Sequence, residues 1–152
     1  MTFVAAAPVP PEAPLPHHPF WPGVCPGTFR DSMSIDGNVS APRLLLALTE
    51  AVVFVNAELK KWRISQEQAG HIELAAVPDD DGEPHWRIHR YLRAVYETAA
   101  ADIMERYRQF DATGDAQSRA EQQQPAIDDH RRNAFWAIRD ILGQTRTTVE
   151  LL

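Results

Sequence analysis

The chain has 152 residues, a length suited to one domain whose hydrophobic core needs no disulfide or metal to hold it. Its single cysteine, Cys25, excludes a disulfide-stapled scaffold, and a formal net charge of −6 argues against tight non-specific binding of nucleic acid, which needs a phosphate-neutralising surface. No apolar run approaches the roughly 20 residues that span a bilayer, and MTFVAAAPVPPEAP at 1–14 lacks the basic stretch of a signal peptide, so the expected place of synthesis and retention is the cytoplasm.

Eight of the 12 prolines lie between Pro8 and Pro26. Each fixes φ and removes a backbone donor, so residues 1–27 are expected to form an extended, polyproline-like arm. Phe3, Phe20 and Trp21 have no evident core of their own in such a stretch and read as anchors on a neighbouring subunit. A short element follows at Thr28 to Ser34, with Phe29 and Met33 on one face, and ends at the turn signal Asp36-Gly37-Asn38.

The first long helix is predicted to start near Ser40 to Pro42, since proline is tolerated in a first turn. Leu44, Leu48, Val52, Val55, Leu59 and Trp62 recur at spacings of three and four and form its apolar stripe. Val53 and Phe54 fall outside that stripe, which implies a second buried face against another helix or another subunit. Gly70 stops the helix. A linker from His71 to Pro78 leads to Asp79-Asp80-Asp81-Gly82, where the second long helix begins with Asp81 as N-cap and Glu83 and Pro84 in its first turn. Its stripe is Ile88, Leu92, Val95, Ala99, Ile103, Tyr107 and Phe110.

Residues 111–124 are polar and glutamine-rich and read as a loop. The third long helix is expected after Pro125, with Ile127, Arg131, Ala134, Ile138 and Ile141 or Leu142 on its stripe, Phe135 and Trp136 beside it, and Gly143 at its end. The last residues, TRTTVELL, are rich in β-branched side chains and read as an extended tail. The predicted fold is an all-α bundle of three long helices plus one short helix, with a Pro-rich arm at 1–27, a helical domain at 28–143 and a tail at 144–152.

Nothing in this pattern points to catalysis, a cofactor or a metal. His85 and His89 stand at the i,i+4 spacing of a metal-binding pair, with Asp81 and His71 nearby, but exposed polar residues at a helix start explain them as well. A calcium loop with Gly82 as its sixth position would take Val77 and Ile88 as its first and twelfth ligands, and both are apolar. Asp128, Asp129 and His130 resemble an acid–base group, yet carboxylates in a first helical turn serve the helix dipole. Arg87, Arg90, Arg93, Arg106, Arg108, Arg131 and Arg132 read as a solvated face with intrahelical pairs, or as pairing partners between subunits.

Several segments resemble one family in order: FWP at 20–22, FRDSM at 29–33 running into IDGNVSAPRL at 35–44, VNAELKKWR at 55–63, YLRAVYETAAADIMERYRQFDATG at 91–114, RRNAFWAIRDILG at 131–143 and TRTTVELL at 145–152. The chain is similar to the gpL-type head completion (head stabilisation) proteins of peduovirus-like temperate phages. Residues 1–19 do not match that pattern, and Ser34 and Asn133 stand where a charged residue is expected. The resemblance implies a virion protein, assembled in the host cytoplasm, that binds the portal protein after packaging. It further implies a ring of copies, dodecameric like the portal, that retains the genome without sequence-specific DNA contacts and presents a surface to a tail terminator or second completion protein. Val53, Phe54 and Trp136 would then be inter-subunit contacts beside Phe20 and Trp21, and Val149, Leu151 and Leu152 would dock the tail on the portal. The alternative is a terminase-associated packaging factor that handles DNA or the motor directly. That reading wants a helix-turn-helix with a basic recognition helix, and none is legible.

Overall fold

The computed structural model describes residues 13–35, 39–79, 85–110 and 116–144, with the backbone alone described for 108–110 and 116–124. Among these residues the chain forms four α-helices: α1 (Pro26–Met33), α2 (Ala41–Gln68), α3 (Trp86–Phe110) and α4 (Ala116–Ile141). A single 3₁₀ turn lies at Leu74–Ala76. The all-α expectation, three long helices and a short one, holds for these residues.

The apolar stripes do what their spacing dictates. Leu44, Leu48, Val52, Val55 and Leu59 of α2 are buried together with Tyr91, Val95, Ala99 and Ile103 of α3 and Ile138 and Ile141 of α4. α3 is the central helix: α2 and α4 each lie along it and scarcely touch one another. The pairs Arg90–Asp140 and Glu97–His130 show that α4 runs antiparallel to α3. Small side chains at Ala94, Ala99 and Ala100, all buried, let the helices approach closely.

Two helices end in the same way. Gly70 takes φ 97°, its N–H reaches Glu67 O at 3.0 Å, and the His71 N–H reaches Gln66 O at 3.0 Å. Gly143 takes φ 68°, with Gly143 N–H to Asp140 O at 3.2 Å and Gln144 N–H to Arg139 O at 3.0 Å. Both are Schellman closures, which satisfy the last carbonyls of a helix through a left-handed residue.

Three expectations are corrected. Residues 116–124 are not a loop: α4 starts at Ala116 and runs through Pro125, which sits inside the helix. The segment AQSRAEQQQ lacks an apolar stripe, but Ala, Gln, Arg and Glu are strong helix formers, and that propensity prevails over polarity. Asp128, Asp129 and His130 therefore lie in mid-helix, where the first-turn dipole argument does not reach them.

His85 is the second correction. It precedes α3 with φ 64°, so His85 and His89 do not share a helical face. Asp79 organises this start: its Oδ2 accepts the His85 N–H at 2.8 Å and its Oδ1 accepts from Arg87 Nη1 at 2.7 Å. The expected cap Asp81 lies outside the described residues.

The third correction concerns Phe20 and Trp21, expected to anchor on a neighbour. They are buried in the core of their own chain. Residues 15–24 form a loop closed by the Leu15 N–H to Val24 O bond at 2.9 Å, and Phe20 O accepts the Leu74 N–H at 2.8 Å. Gly23 allows the loop to close, because a Cβ there would meet Pro14 Cβ at 2.9 Å. Trp21 stacks on Tyr91 with centroids 4.7 Å apart and planes at 4°, and on Trp62 at 6.3 Å, while Phe20 meets Trp21 edge-on at 4.8 Å. The aromatic cluster fills the space between the C-terminal half of α2 and the start of α3. Burial pushes the Tyr91 hydroxyl well above the usual tyrosine range, partly opposed by its hydrogen bond to Asn56 Oδ1 at 2.8 Å.

Candidate functional site

With α2 and α4 both resting on α3, a groove opens between them. Its volume is about 590 Å³. Thr98, Ala101, Asp102 and Glu105 of α3 line it, with Phe54 and Glu58 on the α2 side and Arg131, Ala134, Phe135, Ile138, Arg139 and Leu142 on the α4 side. Gln144, just beyond the Gly143 turn, lines it too. Phe54 is 50% exposed and Phe135 is 55% exposed, large values for rings that face an apolar groove. The Arg139 guanidinium lies 5.3 Å from the Phe135 ring centre. Asp102 is engaged by Arg106 at 3.0 Å, and Glu105 by Arg131.

A second apolar feature lies on the face of α2 turned away from the core. Leu46, Val53 and Ile64 recur there at two and three helical turns, and Val53 is 61% exposed. Leu46 also borders a smaller hollow, about 240 Å³, with Val39, Arg43, Ile103, Arg106 and Tyr107. A strand of unpaired apolar side chains opposite a well-packed stripe is the pattern of a helix with a second partner.

The polar groups near the groove are structural. Glu97, only 8% exposed, accepts from His130 Nδ1 at 2.5 Å and from Asn133 Nδ2 at 3.3 Å, and Arg93 Nε lies 3.5 Å away. This set fastens α4 to α3 and accounts for a neutral Asn133: the buried carboxylate already has two cationic or donor neighbours. Asp129 pairs with Arg132 at 2.7 Å while His130 turns to Glu97, so these two neighbours do not converge on one point. Among the described residues no group of three His, Cys, Asp or Glu is placed to hold a metal ion.

The structure thus separates the residues singled out from sequence. Val53 and Phe54 lie on outward surfaces, but on two different ones, the back of α2 and the groove. Trp136 is half-buried, with Arg132 4.8 Å from its ring centre. Phe3, Val149, Leu151 and Leu152 lie outside the described residues. Leu46 is not singled out by the sequence, and Phe135 is placed there only beside the stripe of the third long helix, with no partner assigned. Leu46 is hidden within the unbroken run LLLAL at 44–48, where no period can be read, and Phe135 adjoins a stripe that already looked complete.

The helical domain thus keeps apolar side chains on two outward surfaces, the groove and the back of α2. The chain belongs to the phage head completion protein (GPL) family, whose model matches residues 15–152. It is 35% identical over 132 residues to the head completion/stabilization protein of Escherichia phage P2, covering 86% of this chain and 78% of that protein. No solved structure matches at a significant level. The family match begins at Leu15, the residue whose N–H closes the loop that carries Phe20 and Trp21. Among the described residues no helix is long and apolar enough to cross a membrane.

Proposed function

We propose that this chain is an adaptor of the head–tail connector, acting by assembly and not by catalysis. Identical copies form a ring, expected to be dodecameric, on the portal protein. Packaged double-stranded DNA passes through the ring and is retained, and the exposed rim receives a tail terminator or second completion protein. The observation that carries this reading is the exposed stripe Leu46, Val53 and Ile64 on the far side of α2, which a single chain leaves uncovered. Closed rings of like subunits bury such surface repeatedly without open ends. The net charge of −6 suits a wall that duplex DNA slides past, since like charges repel.

The test mixes the protein with purified portal and, separately, with duplex DNA at moderate salt. Co-sedimentation with the portal is expected, with rotational symmetry visible in electron micrographs of the vertex. A protein that ignores the portal and retards the duplex instead would be a packaging factor, and the adaptor reading would fall.

A further inference from the structure

We propose that residues 145–152 of this chain lie back along the groove between α2 and α4 as an intramolecular strap. The proposal is independent of the ring.

The first support is position. Gln144, which leads into this segment, already lines the groove together with Leu142. The left-handed Gly143, with Gln144 N–H bonded to Arg139 O, turns the chain off the α4 axis at that point. The α4 side of the groove extends from Leu142 back to Arg131, about 16 Å of helix at ~1.5 Å per residue. Eight extended residues reach about 27 Å, enough to run its length.

Chemistry is the second support. In an extended TRTTVELL, Thr147, Val149 and Leu151 share one face. That face meets a groove bordered by Phe54 and Phe135 with Ala101, Ala134 and Ile138 between them. Charge order agrees as well. The Tyr91–Asn56 and Arg90–Asp140 pairs put Glu58 and Leu142 at the same end of α3, and Glu105 with Arg131 at the other. The segment enters beside Glu58, which has no ion-pair partner among the described residues, and offers Arg146 first. Glu150 comes later, toward Arg131, which Glu105 already engages, so the charge match rests on Arg146 and Glu58.

The experiment is methyl NMR on the full chain. Nuclear Overhauser contacts from the Val149 and Leu151 methyls to the Phe54 and Phe135 rings are expected. In a mixture of labelled and unlabelled protein those contacts should stay within one molecule. Contacts seen solely between copies would overturn the proposal in favour of a neighbour's segment, and random-coil methyl shifts would overturn it outright. Phe135→Glu alters an exposed position and leaves the core intact; it should move the Leu151 methyls to their solvent values while amide shifts of α2 and α3 away from the groove persist. Leu151 resonances unmoved by that change would also count against the strap, and Leu151→Asp provides the reciprocal variant, expected to perturb the Phe54 and Phe135 ring signals.

Discussion

Ser34 closes α1 in the left-handed region, at φ 52° and ψ 41°. A side chain there costs about 1–2 kcal/mol, because Cβ crowds the following carbonyl. The Ile35 N–H still reaches Arg30 O at 3.1 Å, so the turn is held despite the strain. Ser34→Gly keeps those bonds and removes the clash, while the looser unfolded chain takes back part of the gain. Urea titration should show a variant more stable by about 0.5–1 kcal/mol. Trp21 is the opposite case, a side chain in its best environment. Stacked on Tyr91 and buried beside Trp62, it should cost about 3–5 kcal/mol when replaced by alanine, read as an earlier denaturation midpoint. An anchor reserved for a neighbouring subunit would leave the isolated chain's stability unchanged. The sequence could not reveal this placement. Proline density correctly excludes regular structure from 13–25, but irregular backbone is no bar to entering a core when a few hydrogen bonds pin it.

At the scale of the element, α2 and α3 were readable because their buried side chains repeat at three and four through several turns and end at glycine or turn signals. α4 was readable only in its second half. Its first nine residues carry propensity without amphipathicity, and Pro125 looked like a helix start because proline is favoured at that position. Inside the helix the same residue removes an N–H and crowds the preceding turn, which costs about 3 kcal/mol in an exposed interior. Pro125→Ala is therefore expected to stabilise the protein by up to about 3 kcal/mol and to raise its far-ultraviolet helical signal. Were the helix to begin after Pro125, the same change would be neutral or slightly harmful, so thermal unfolding of this one variant separates the two descriptions. The Glu97 cluster was equally illegible. Glu97 and His130 stand 33 residues apart on different helices, and only their packing makes them partners.

At the scale of the molecule, family membership was legible because short segments recur in a fixed order, although each is an ordinary helical pattern. The outward surfaces were half legible: periodicity exposed Val53 and Phe54 as misfits but could not say that they serve different faces. Val53→Asp should leave unfolding free energy within about 0.5 kcal/mol of the parent, as surface changes usually do. If the back of α2 joins neighbouring copies, the same variant should fail to assemble on purified portal, which sedimentation would register. The aromatic plug has a practical corollary for dissecting this protein. The loop at 15–24 has no regular secondary structure and invites trimming. A shortened version beginning at the first helix would discard Phe20 and Trp21 and leave Trp62 and Tyr91 facing water, so the least ornate stretch of the polypeptide acts as a keystone.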